Sequence, residues 1–347
     1  MPKFGTFPGE HQEGDLVGGT CTVLDYIGRG AMGHVYRVRH NALNAEYALK
    51  LLSSDQFNEE AARLFKRESY AITKLSHPNI VRIYESGLDN GKLPYYAMEL
   101  LVGKDLGKKI RTTGPLDVTE AASIFIEVCK GLSYAHSEGV VHSDIKPSNI
   151  FLLDKPGASR EKVKVVDFGI VKFSRAKDLE HPEGDVQGTP YYMSPEQCMG
   201  ERLDARSDIY SLGCTLFEAL TNKLPFSGED PSATMLMQVR DPAPTLSSIT
   251  GGKEYPEAME VVIAKSMAKD PAQRYQTMNE MSQALAAVIE HEKWSTAMAN
   301  SSTSIVKEPE PTASPIIPAQ KKSVLAIVAL AVLMLVLCLV FFIISKH

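Results

Sequence analysis

The chain of 347 residues holds a single tryptophan, five cysteines and no surplus of positive charge. Its 37 Lys and Arg against 42 Asp and Glu leave a formal charge of −5. Without a basic field, the composition gives no footprint for a nucleic-acid-binding surface. Cys21, Cys129, Cys198, Cys214 and Cys338 are scattered and odd in number, with no C-x-x-C pair. This argues against a disulfide framework or a cysteine zinc site and fits a reducing compartment. The nine histidines include no H-E-x-x-H, and His136 and His142, six apart, share no helical face and read as unrelated residues. No repeat of 20–50 residues is present. With 44% apolar and 23% charged residues, the chain can bury a core of normal size, and its length suits about two domains or lobes.

No apolar leader opens the chain, and Pro2 stands where a myristoylated glycine would be needed. The far end is different. Residues 324–344 (VLAIVALAVLMLVLCLVFFII) form a run of 21 without a charge, about 30 Å long as a helix and enough to cross a bilayer. A core helix of that length would show a polar stripe, so the run reads as a single transmembrane helix. Lys321 and Lys322 precede it and Lys346 alone follows, which places the large N-terminal part in the cytoplasm by the positive-inside rule. Residues 345–347 are a tail too short to fold. Residues 295–323 read as a Ser/Thr/Pro-rich linker with a basic flank, the part over 295–320 spanning about 25–30 Å as a flexible coil. Residues 1–20, Gly-rich and aperiodic, read as a mobile extension.

Between these ends, β-branched and aromatic residues predict strands over 23–27, 35–38, 45–51, 80–84 and 95–100. Asn58 caps a predicted helix over 58–75. From about Asp117 the pattern turns helical, at 119–136, 208–221, 257–268 and 278–291, with short strands at 140–141 and 163–166. The run 208–221 is apolar nearly all round and too short for a membrane, so it suits a buried core helix.

Four motifs carry chemistry. Gly28-Arg29-Gly30-Ala31-Met32-Gly33-His34-Val35 offers backbone N–H groups to phosphate oxygens. A dinucleotide-binding loop of this spacing would open a helix. Here the residues after Gly33 alternate like a strand, favouring a glycine loop that closes a hairpin over a nucleotide. Lys50 on the next strand is a natural partner for Glu68, which lies on the apolar face of the predicted helix; otherwise Glu68 bends out to solvent. The third and fourth motifs, His142-Ser143-Asp144-Ile145-Lys146-Pro147-Ser148-Asn149 and Asp167-Phe168-Gly169, each follow a short apolar strand. Together they supply a base, a cation and two hard oxygen ligands suited to Mg²⁺.

In this order the motifs resemble those of the protein kinase family, and most of all the bacterial, Hanks-type serine/threonine kinases, with Ser76-His77-Pro78-Asn79-Ile80-Val81 as another familiar stretch. The resemblance implies an α+β, two-lobed kinase-like fold over 21–294, with a small strand-rich N-lobe (21–98) and a larger helical C-lobe (99–294), plus the one transmembrane helix. It implies that Gly28, Gly30 and Gly33 cover the phosphates of ATP, that Ile27, Val35 and Ala48 enclose the adenine, that Met98 gates the pocket, and that the backbone of Glu99 and Leu101 bonds the adenine edge. Lys50, paired with Glu68, would hold the α- and β-phosphates, Asp144 would accept the substrate hydroxyl proton, Lys146 would neutralise the γ-phosphate, and Asn149 and Asp167 would bind Mg²⁺. Thr189 and 194–196 resemble the substrate-docking segment, Glu196 would pair with Arg274, and Asp208 would brace the catalytic loop. The partners implied are protein substrates, a single-pass membrane anchor and a homodimer, with no nucleic acid.

Two departures stand out. Ser143 occupies a place where many family members carry an arginine that clamps an activation-loop phosphate, and residues 175–188 contain no Ser, Thr or Tyr. The expectation is an enzyme not switched by phosphate in the middle of that loop. Ser194 for the usual alanine is minor. The alternatives are a pseudokinase or membrane-tethered scaffold, which typically lacks the strand lysine, the catalytic aspartate or the metal aspartate, and a small-molecule kinase, against which the docking segment argues.

Overall fold

Alternating residues in the first hundred positions build one antiparallel sheet. Its strands are β1 (Leu16–Val17), β2 (Cys21–Gly30), β3 (Gly33–His40), β4 (Ala45–Leu52), β5 (Ile83–Asp89) and β6 (Leu93–Glu99), in the order β1-β2-β3-β4-β6-β5. The computed structural model describes residues 11–30, 33–52, 69, 71–91, 93–154, 162–168 and 190–303. Glu68, most of the helix expected over 58–75, residues 169–189 and the expected span 324–344 lie outside them; residues 71–73 are helical. In β4, residues Ala48 to Leu52 are all buried because the strand is covered on both faces. Leu49 and Leu51 pack outward with Val17, Cys21, Val23, Tyr36, Val38 and Tyr95. Leu52, and Tyr96 on β6, pack inward against the main core.

Residues 11–20 are a correction to the mobile extension read from the sequence. β1 pairs with β2, the Gly18 N–H donates to Asp89 Oδ1 at 2.9 Å, and Val17 is fully buried. The glycines there are turn residues: Gly18 has φ +59, and a Cβ on it would lie 2.0 Å from the Tyr95 hydroxyl oxygen.

Helices dominate from Leu106 onward. They are α1 (Leu106–Thr113), α2 (Val118–Ser137), α3 (Pro195–Cys198), α4 (Ala205–Thr221), α5 (Pro231–Arg240), α6 (Leu246–Ile249), α7 (Glu257–Ser266) and α8 (Met278–Thr303). Asp105 and Asp117 cap α1 and α2 by accepting from the third backbone N–H of each helix. Before α3, a second small sheet orders β7 (Gly103–Asp105), β8 (Ile150–Leu153) and β9 (Lys162–Val165). Helix α4 is buried from Ser207 through Phe217, as its all-round apolar character requires. It packs in the same core as Leu132 of α2, Val262 of α7 and Phe168.

Three boundaries differ from expectation. Residues 140–141 form no strand, because the Val140 N–H is taken by the Ala135 carbonyl at the end of α2. Strand β5 starts at Ile83, three residues after Ile80, which makes only an isolated bridge to Val165. Helix α8 continues through Thr303, so the first nine residues of the expected linker are helical. Residues 1–297 form one unit and 298–347 a second, of which 298–303 are described. Among the described residues no helix is long and apolar enough to cross a membrane.

Candidate active site

The glycine motif closes a hairpin, with Gly30 opposite Gly33 where β2 meets β3. Gly33 has φ +146, and a Cβ there would lie 2.0 Å from the Leu51 carbonyl oxygen, so no other residue fits. At Gly28 a Cβ would meet nothing within 4 Å. That glycine answers no packing need of the described chain and leaves space a ligand can enter. Cross-strand pairing then sets Gly28, Val35, Lys50 and Tyr96 in one row over four strands, with Ala48 opposite Met98 two positions along. Ala48 is buried, Val35, Met98 and Leu101 are half-buried, and Ile27 is exposed. The Glu99 N–H is taken by the Arg82 carbonyl, and its carboxylate pairs with Lys164 at 2.8 Å.

The loop after α2 is held from below by Asp208, in the first turn of α4 and fully buried. Its Oδ2 accepts from the His142 N–H at 2.8 Å and lies 2.7 Å from His136 Nε2, and its Oδ1 accepts from the Ser143 N–H at 2.8 Å. One carboxylate thus meets the His136 ring and the main chain of His142, while the His142 ring faces elsewhere. The His142 ring lies 3.0 Å from the Val166 carbonyl oxygen and packs 4.5 Å from the Phe168 ring; burial lowers its pKa against the opposing pull of the Asp208 and Asp144 carboxylates. Ser143 has φ +60, uncommon for a residue with a Cβ. Its carbonyl accepts from Gln197 Nε2 at 2.8 Å.

This bracing presents three side chains together. Asp144 Oδ2 lies 2.8 Å from Lys146 Nζ and accepts from Asn149 Nδ2 at 3.1 Å; the same amide nitrogen donates to the Asp144 carbonyl at 2.8 Å. With its nitrogen spent on Asp144, Asn149 turns its amide oxygen to the Ser148 hydroxyl, from which it accepts at 3.4 Å, and a second lone pair on that oxygen can face a cation. The Asn149 carbonyl accepts from the Val166 N–H, which ties this loop to Asp167. Among the described residues no group of three His, Cys, Asp or Glu side chains could hold a metal. The Asp167 carboxylate and the Asn149 amide oxygen are hard donors, of the kind that suits Mg²⁺.

Lys50 Nζ stands 2.7 Å from Asp167 Oδ2, and the Tyr96 hydroxyl donates to Asp167 Oδ1 at 2.7 Å. Burial alone would raise the Asp167 pKa, but the Lys50 charge and the two hydrogen bonds outweigh it and hold the carboxyl below its usual range. Farther off, Arg274 spends all five N–H groups: two on the Glu196 carboxylate at 2.8 and 2.9 Å, and three on the carbonyls of Ala268, Arg206 and Lys269. Of the residues singled out from the sequence, the structure brings together Lys50, Asp144, Lys146, Asn149 and Asp167. Sequence reasoning missed Tyr96 and Gln197. A tyrosine at an inward position of β6 was the available signal for the first, because a buried phenol needs an acceptor; nothing marked the second.

A family model described as protein kinase domain matches residues 21–287. The chain is 38% identical over 270 residues to a probable serine/threonine-protein kinase of Clostridium perfringens, CPE1738, covering 77% of this chain and 38% of that protein. It is 38% identical over 269 residues to serine/threonine-protein kinase PrkC of Bacillus subtilis, covering 77% and 40%. The matched part thus spans about two fifths of the length of these relatives. The crystal structure of the Mycobacterium tuberculosis PknI kinase domain superposes with a TM-score of 0.64 at 26% identity, covering 80% of this chain and all of that one. The bilobal fold, the ordered motifs and these likenesses agree: the chain belongs to the protein kinase domain family.

Proposed function

We propose that this chain is an ATP- and Mg²⁺-dependent serine/threonine protein kinase. The observation that carries the reading is the meeting of Lys50 with Asp167 beside the Asp144–Lys146–Asn149 set. Lys50 exchanges its carboxylate partner for the α- and β-phosphates of ATP, with Glu68 as its expected counter-ion. Asp144 accepts the proton of the attacking Ser or Thr hydroxyl, and Lys146 neutralises charge on the transferring γ-phosphoryl group. Mg²⁺, held by Asp167 and Asn149, supplies charge neutralisation of the phosphates. The glycine hairpin covers them, Ile27, Val35 and Ala48 enclose the adenine, Met98 gates that pocket, and the backbone of Glu99 and Leu101 bonds the adenine edge. The protein thereby acts by positioning and electrostatics more than by covalent chemistry.

The rest of the reading rests on sequence. Protein substrates follow from the family, and the uncharged run 324–344 supports a single-pass anchor with the kinase domain in the cytoplasm. The test is Mg²⁺-dependent transfer of labelled phosphate from ATP to a generic protein substrate, followed by phosphoamino-acid analysis. Asp144→Ala should lower the initial rate by about 10²–10⁴-fold, the range for loss of a general base, and Lys50→Ala should act in the same direction. Transfer undiminished in either variant would sink the assignment.

A further inference from the structure

A cross-strand pair, Lys50 on β4 and Tyr96 on β6, holds both oxygens of the Asp167 carboxylate. The register sets these two residues directly opposite each other, which puts their side chains on the same face of the sheet, side by side. Each takes one oxygen at 2.7 Å, Lys50 the Oδ2 and Tyr96 the Oδ1. The lysine is committed elsewhere when the phosphates of ATP are present. Tyr96 supplies the other hold on that carboxylate among the described residues.

We propose that Tyr96 is a positioning residue for the metal-binding carboxylate: its phenol fixes Oδ1 and so keeps Oδ2 aimed for Mg²⁺ after Lys50 has turned to the phosphates. Three observations support this. The Tyr96 side chain is 3% exposed, and a phenol that deep requires an acceptor, which Asp167 provides. Asp167 sits at φ +56, a region that costs a residue with a Cβ conformational energy, so contacts must hold it there. The phenol is neutral and donates one hydrogen bond. It orients the carboxylate without cancelling the charge a cation would seek, whereas Lys50 does both.

The inference rests on the kinase reading in which Asp167 holds Mg²⁺, and the experiment separates the two. Full-length wild type and Tyr96→Phe are titrated calorimetrically with ADP over a series of Mg²⁺ concentrations, and Mg²⁺ activation curves are recorded in parallel. In Tyr96→Phe, ADP affinity without Mg²⁺ should equal that of wild type. The Mg²⁺ concentration giving half of its effect on ADP binding should rise roughly tenfold, as fits the loss of one charge-assisted hydrogen bond. The activation curve should move by the same factor, with KM for the protein substrate unchanged. If Tyr96→Phe does not fold, Tyr96→Leu takes its place with the same shift expected. Coincident Mg²⁺ curves for wild type and variant, or a variant curve at lower Mg²⁺, would overturn the proposal while leaving the kinase reading intact. Wild-type ADP binding indifferent to Mg²⁺ would overturn both.

Discussion

Ser143 is 3% exposed, and its hydroxyl oxygen finds no hydrogen-bond partner among the described residues. Its backbone, in contrast, is held at both ends, by Asp208 at the N–H and by Gln197 at the carbonyl. The side chain therefore contributes no hydrogen bond to the loop it sits in, and a buried hydroxyl left unpaired costs about 1–3 kcal/mol. Ser143→Ala removes the hydroxyl and keeps both backbone holds and the positive φ. We expect it to unfold in denaturant with a stability equal to wild type or higher by about 1 kcal/mol, with the phosphoryl-transfer rate unchanged. A loss above about 1 kcal/mol would show that the hydroxyl has a partner after all. The same residue bears on regulation, since a serine lacks the cation that would bind a loop phosphate.

One short helix is fixed by a distant residue. Ser194 caps α3 in a capping box with Gln197, and Glu196 in its first turn reaches Arg274, which follows the turn Pro271–Gln273. The guanidinium is fully buried with every N–H satisfied, and Ser207 Oγ adds a bond to Glu196 Oε1 at 2.6 Å. Removing one partner of such a pair strands the other charge and costs about 3–5 kcal/mol. Glu196→Ala should destabilise by that amount in equilibrium unfolding; a loss under about 1 kcal/mol would count against the pair. Burial alone would raise the Glu196 pKa, but the hydrogen bonds from Arg274 and Ser207 and the Arg274 charge win and depress it. A carboxyl lowered on folding stabilises above its unfolded pKa, and that contribution disappears as pH falls through its folded value. The variant should therefore lose stability less steeply in acid than wild type. The motif-bearing residues of this region were legible through the resemblance to the kinase family, which implied the Glu196–Arg274 pair from their place in the order of motifs. Gln197 and Tyr96 were not, because each acts across a contact between elements far apart in sequence. The glycines over 11–20 signalled disorder by composition, yet left-handed turns need the same residues, and only the β1–β2 pairing tells the two apart.

Leu52, Ile72 and Tyr96 from the strand-rich half share one core with Phe168 and the helices beyond it. The side chains assigned to transfer all belong to residues 27–167, inside the unit that ends at 297. The uncharged run 324–344, beyond that unit, is the proposed anchor. Sixteen of the 21 residues in 324–344 are Leu, Ile, Val or Phe. At roughly 0.3–0.6 kcal/mol each, they favour insertion by roughly 5–10 kcal/mol. The full chain should sediment with vesicles and resist carbonate extraction, while a chain ending at Thr303 should stay in the supernatant. Both should phosphorylate a soluble peptide with the same kcat, because every side chain assigned to transfer lies within residues 27–167, in the unit that both chains contain. In sealed, inside-out vesicles, protease should cut the 304–320 segment and release an active fragment. A full chain recovered in the supernatant would refute the anchor, and a fragment released only after the vesicles are opened would reverse its orientation.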